Sequence, residues 1–139
     1  MIRYFDSSAL VKRYVQEEGS SRVRRLLRTG VAVTARLSLV EMVSALARRG
    51  REGDLPASHL KRVVGEIRSD AEQLVLVELT EAVAERAREL LLVRALRASD
   101  AVQLASCLLL REEAGAEVSL ITCDDPLAAA ARAEGVPVE

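Results

Sequence analysis

The chain has 139 residues, is half hydrophobic and 29% charged, contains 2% aromatic residues and no Trp, and carries a formal net charge of −1. That composition supplies one domain with a core of Leu, Val and Ala, and excludes a disordered or low-complexity chain. It also excludes single-strand binders that depend on base-stacking platforms, and near-neutral net charge alone gives no reason to expect a nucleic-acid partner.

Ile2 to Phe5 reads as a first strand that turns on Asp6-Ser7-Ser8 into a helix, with Leu10, Val11, Tyr14 and Val15 at helical spacing and Gly19 as its end. Ser20 or Ser21 is placed to cap the next helix, whose buried stripe is Val23, Leu26 and Leu27 and whose stop is Gly30. Val31 to Thr34 is a second strand. Ser38 is read as opening a helix through Arg49 that ends at Gly50, and Asp54-Leu55-Pro56 as a break before a helix running to about Asp70. Leu74 to Leu79 reads as a third strand and Thr80 as the cap of a helix carrying Val83, Ala84, Ala87, Leu90 and Leu91. Ser99 or Asp100 begins another helix that stops near Gly115, Val118 to Thr122 is a fourth strand, and Asp125-Pro126 starts the last helix. Val136-Pro137-Val138 is at most a short edge strand, because Pro cannot donate to a ladder.

Strands alternating with helices, without hairpin signals, predict an α/β fold: a mainly parallel sheet of four or five strands flanked by helices on both faces. No repeat or second domain is visible, so residues 1–139 are read as a single domain. No stretch is apolar for long enough to span a bilayer, and the strand-like start carries charges where a signal peptide would be apolar, so a cytoplasmic protein with no membrane partner is expected. Cys107 and Cys123 form neither a disulfide pattern nor a zinc pattern and are read as reduced and structural. His59 has no acid or nucleophile pattern around it and is read as a surface residue. No Gly-rich phosphate loop or nucleophile elbow is present.

Four carboxylates stand out by position. Asp6 follows the first strand, Glu41 lies one turn into a helix, Asp100 is at a helix start and Asp124 follows the fourth strand. Each has an ordinary explanation. Asp6, Asp100 and Asp124 or Asp125 suit helix N-caps, and Ser38 to Glu41 fits a capping box. Yet Ser7, Ser8, Ser99 and Asp125 are available for capping, which leaves the acids in surplus. In an open α/β sheet such helix starts gather at one edge, where ligands bind. Carboxylates converging there repel one another, a conflict that a hard divalent cation resolves; without Cys or His ligands, Mg²⁺ or Mn²⁺ is the fitting ion, and phosphodiester hydrolysis the fitting chemistry. On this reading, Asp100→Asn relieves repulsion and raises thermal stability in chelator. The charge is also unevenly spread: residues 1–68 hold 14 basic and 7 acidic residues, residues 69–139 hold 6 and 14. That leaves two readings open, differently charged solvated faces or a basic groove of Arg22, Arg24, Arg25, Arg28, Arg48, Arg49 and Arg51 beside an acidic site.

Three blocks, FDSSALVKRYVQEEGS, LRASDAVQLAS and LITCDDPLAAAA, together resemble the PIN-domain ribonucleases, and the first looks most like the VapC toxins of type II toxin-antitoxin pairs. The resemblance spans nearly the whole chain. It implies a PIN-like fold and an endoribonuclease that uses Mg²⁺ or Mn²⁺, leaves 5′-phosphate and 3′-hydroxyl ends and acts as a toxin. Carried over by motif, Asp6, Glu41, Asp100 and Asp124 are the catalytic and metal-binding residues, Asp124 being preferred to Asp125 because Thr122-Cys123-Asp124 matches the family spacing. Ser8 and Thr122 match positions that assist metal, water or phosphate, and Arg97, three residues before Asp100, is a candidate phosphate contact. The implied partners are an RNA substrate, a cognate antitoxin and a second copy of the chain. Gln103 departs from the family, which often has His there, and is read as a packing change; Asp125-Pro126 departs where basic residues are common. The alternatives are a catalytically idle PIN-like binding module and a structure-specific DNA nuclease.

Overall fold

A computed structural model describes all residues from Met1 to Glu139. Four parallel strands, β1 (Ile2–Phe5), β2 (Val31–Ala35), β3 (Val75–Val77) and β4 (Val118–Ile121), lie in the order β3-β2-β1-β4. The chain therefore builds outward from β1 in one direction and returns to add β4 on the other side. Because parallel crossovers are right-handed, that reversal sends the later helices to the opposite face of the sheet and leaves a crevice beyond the carboxyl ends of β1 and β4.

Alternation along β1 separates the two cores. Tyr4 joins a cluster with Val33, Leu90, Leu104, Leu120 and Leu127, while Phe5 joins one with Leu10, Val23, Met42, Leu46, Val63 and Ile67. The first cluster packs α5 (Glu81–Val93), α6 (Ala98–Ala114) and α7 (Asp125–Ala133) against the sheet; the second packs α1 (Ser7–Leu10), α2 (Ser20–Leu27), α3 (Arg36–Arg51) and α4 (Ala57–Asp70). No helix is long and apolar enough to cross a membrane.

Thr80 caps α5 as expected, its side chain accepting from the Val83 N–H. Elsewhere the boundaries differ from expectation for local reasons. The first helix is one turn, followed by a 3-10 turn over Val11–Arg13. Gly19 at φ 87° is the N-cap of α2, and the Ser20 hydroxyl bonds Glu17 and Val15 instead of capping. Strand β3 is only three residues, because the chain beyond Val77 no longer faces β2. Val136-Pro137-Val138 contributes a single parallel bridge, Val138 to Leu120, as its proline predicts. Gly30, at φ 81°, is fixed by crowding: a Cβ there would meet the Met1 carbonyl oxygen at 2.3 Å.

Two helix starts contradict the sequence reading. Helix α3 begins at Arg36 with Ala35 as N-cap, so Ser38 is inside the first turn and its buried hydroxyl bonds Thr34 and Gln103; Ser38 and Glu41 form no capping box. Helix α6 begins at Ala98 with Arg97 as N-cap, so neither Ser99 nor Asp100 caps it, and Asp100 lies in the first turn.

Candidate active site

The crevice at the strand reversal collects the acids. Asp6 is 3% exposed, although a carboxylate is among the least often buried groups. It caps α1, with Oδ1 accepting from the Ala9 N–H at 3.0 Å. The Ser8 hydroxyl donates to its carboxylate at 2.8 and 2.9 Å, and the Thr122 hydroxyl to Oδ2 at 2.8 Å. Those two hydroxyls also accept backbone N–H groups of the loop after β4, from Cys123 to Ser8 and from Asp124 to Thr122, each at 3.0 Å. The loop and the Asp6 carboxylate are thereby locked together. All donors to Asp6 are neutral. Burial pushes its carboxyl up from 3.8 to about 6, an effect opposed by those hydrogen bonds and reinforced by the charge of Asp124.

Across the crevice the arrangement is different. Asp124 caps α7 through Leu127 N–H at 2.9 Å, and Asp100 projects from the first turn of α6. Arg97 lies between them, its Nε 3.2 Å from Asp100 and its Nη2 3.6 Å from Asp124, while its own side chain is 79% exposed. Both acids, Arg97, Leu96 and Pro126 line an open hollow of about 450 Å³. Asp125 is exposed at the first position of α7, and no hydrogen bond or ion pair ties it to the cluster, which favours Asp124 as the acid facing Asp6. Asp6 and Asp124 do the capping themselves, so these two acids are not in surplus over the caps; capping and facing the crevice coincide.

Glu41 reaches the same crevice from α3 and accepts a hydrogen bond of 2.7 Å from the Gln103 amide. Gln103 is 1% exposed and bonded on every side, so it is no mere packing change. Its spacing three residues after Asp100 places both on one face of α6, which is the signal the sequence offered for it. No three carboxylate, imidazole or thiol groups come close enough to form a ready-made cage for an ion.

The arginines of the basic half do not form one groove. Arg24 and Arg28 line a hollow with Arg13 where β2 and β3 begin, at the far end of the sheet. Arg49 pairs with Glu17. Arg22, with Lys12, lies near enough to Cys123 for its charge to act on that thiol. Cys107 is buried as expected, its thiol pushed up to about 12, but Cys123 is exposed beside the acids and is no core residue. His59 is half-buried on α4, a helix that gives the crevice no side chain.

The chain belongs to the PIN-domain family, which it matches over residues 3–133. It is 39% identical over 106 residues to the ribonuclease VapC45 of Mycobacterium tuberculosis, covering 76% of this chain and 74% of that relative. Among solved structures it resembles VapC20 of Mycobacterium tuberculosis, a sarcin-ricin loop cleaving toxin, with a TM-score of 0.69 and 19% identity over 92% of this chain and 94% of that one. A toxin-antitoxin complex from Klebsiella pneumoniae gives a TM-score of 0.63 at 16% identity, covering 88% of this chain and 86% of that one. At such identities the two structures speak for the fold alone.

Proposed function

We propose that this protein is a divalent-metal-dependent endoribonuclease and the toxin of a toxin-antitoxin pair. One observation carries the reading: Asp6 is buried at the strand reversal with only neutral donors, facing Asp124, so the crevice holds more negative charge than its own cations offset. The ribonuclease VapC relatives supply the reaction class and the likeness to toxin-antitoxin assemblies supplies the antitoxin. The donor set suits a hard ion. It is all oxygen, which suits Mg²⁺, an ion that takes one or two carboxylates directly and keeps several waters; Mn²⁺ fits the same ligands.

Asp6, Asp100, Glu41 and Asp124 would hold the ion, directly or through water. When bound, it supplies Lewis-acid stabilisation of charge on the phosphate and a more acidic water. Ser8 and Thr122 fix the Asp6 carboxylate and the loop that carries Asp124. Arg97, exposed beside Asp100 and Asp124, would hold the RNA backbone, positioning it without reading sequence. A homodimer acting in the cytoplasm completes the reading.

The test is cleavage of a mixed RNA pool by purified protein, free of antitoxin, in Mn²⁺, in Mg²⁺ and in chelator. The expected result is metal-dependent cutting that leaves 5′-phosphates and falls on the order of 100-fold or more in Asp6→Asn. Metal-independent cutting, or none together with no metal binding, overturns the reading and favours an idle module; cutting of structured DNA alone favours the flap-type nuclease.

A further inference from the structure

Between the two cores runs a polar chain that neither capping nor packing requires. The Tyr4 hydroxyl donates to Gln103 Oε1 at 2.6 Å, and Gln103 Nε2 donates to Glu41 Oε1 at 2.7 Å and to Ser38 Oγ at 2.9 Å. The direction of the amide is determined: an ionised carboxylate only accepts, so the nitrogen faces Glu41 and the oxygen faces Tyr4. Thr34 donates its one proton to the Phe5 carbonyl at 2.6 Å, so in the 2.7 Å contact between Thr34 and Ser38 the donor is Ser38. A single directed chain thus runs from Gln103 through Ser38 and Thr34 to Phe5, the residue before Asp6. It joins α6, α3, β2 and β1, and Tyr4, Thr34 and Ser38 are fully buried.

We propose that Gln103 is a positioning residue that fixes the Glu41 carboxylate at the crevice in register with Asp6. The proposal rests on the divalent-ion reading above. Glu41 is partly exposed and has three side-chain torsions, so without a fixed donor it spreads over several rotamers. Gln103 removes that freedom, and the chain to Phe5 transmits the position of one acid's strand to the other acid's helix. Every buried polar side-chain atom is satisfied, so the network is rigid as well as directed. A neutral imidazole at the same place offers the same pair of functions, a ring N–H for Glu41 and a bare nitrogen for Tyr4; an apolar side chain offers neither.

The test is calorimetric titration of Mn²⁺ at pH 8 into wild type, Gln103→Met, Gln103→His, Glu41→Gln and the Gln103→Met/Glu41→Gln double variant, with each melting temperature measured in chelator. Gln103→Met should bind Mn²⁺ on the order of tenfold more weakly, with Gln103→His restoring most of the loss. In the Glu41→Gln background Gln103→Met should cost nothing further, because its effect travels through Glu41. Should Gln103→Met not fold, Gln103→Asn, which keeps an amide too short to span Tyr4 and Glu41, takes its place in the cycle. Unchanged affinity in a folded variant, or equal losses in both backgrounds, overturns the positioning role and leaves the metal site standing. A wild type that binds no Mn²⁺ overturns the divalent-ion reading and this inference with it.

Discussion

The two walls of the crevice hold the same side chain at different cost. On one wall Asp6 is buried among two hydroxyls and an N–H, with no cation to balance its charge. On the other, Asp100 and Asp124 face the exposed guanidinium of Arg97. Neutral donors orient a carboxylate without cancelling its charge, whereas an arginine cancels charge and also competes for the oxygens. The first wall stores electrostatic strain and the second relieves it.

The largest test of that contrast is pH. Asp6 is raised from 3.8 to about 6 in the folded protein, so between those values the native state holds a proton that the unfolded chain has lost. Stability of the metal-free protein therefore falls as pH rises from about 4 to 6, by on the order of 3 kcal/mol from this group, and this contribution is flat above that window. Urea denaturation in chelator should show the fall, and saturating Mn²⁺ should suppress it; a flat profile without metal would remove the strain from Asp6.

Thr122→Val comes next. It deletes a donor to Asp6 and the acceptor of the Asp124 N–H in one step, and should cost about 1–3 kcal/mol in urea melts. A loss below that range would mean that water replaces the hydroxyl. Arg97→Ala should change stability by less than about 1 kcal/mol, as an exposed pair does, yet tighten Mn²⁺ binding a few-fold by vacating the oxygens of Asp100 and Asp124. Weaker Mn²⁺ binding in calorimetry would show that Arg97 does not compete. The smallest effect is Asp124→Asn, which keeps the cap and should shift the melting temperature in chelator hardly at all, against about 1 kcal/mol for Asp124→Ala.

Much of this was legible from residue order. Strand and helix alternation gave a parallel sheet, and the acids at strand ends marked the crevice, because both follow from local pattern. Asp6 stands out in the sequence by its position after the first strand, but only the structure shows that its side chain caps a helix and faces the crevice together. Ser38 was misread because Ser followed three residues later by Glu is a capping signature wherever it occurs; only the burial of Ser38 against Thr34 and Gln103 shows that the helix starts earlier. The sequence marks Gln103 but not what it bonds, for a related reason. Its partners Tyr4, Ser38 and Glu41 lie 99, 65 and 62 residues away, beyond any local spacing rule. The expectation that Asp100→Asn relieves repulsion moves to Asp6, because Arg97 stands against Asp100 and nothing cationic stands against Asp6.

The single rung between Val138 and Leu120 also bears on how the sheet meets other chains. It occupies the outer side of β4, where Leu120 donates to Pro137 and Glu139 donates back to Leu120, and the Glu139 carboxylate pairs with Arg3. The opposite boundary is β3, three residues long with Val75 half exposed. One border is occupied and the other offers too few rungs to template a neighbour, so strand-by-strand polymerisation is discouraged at both ends.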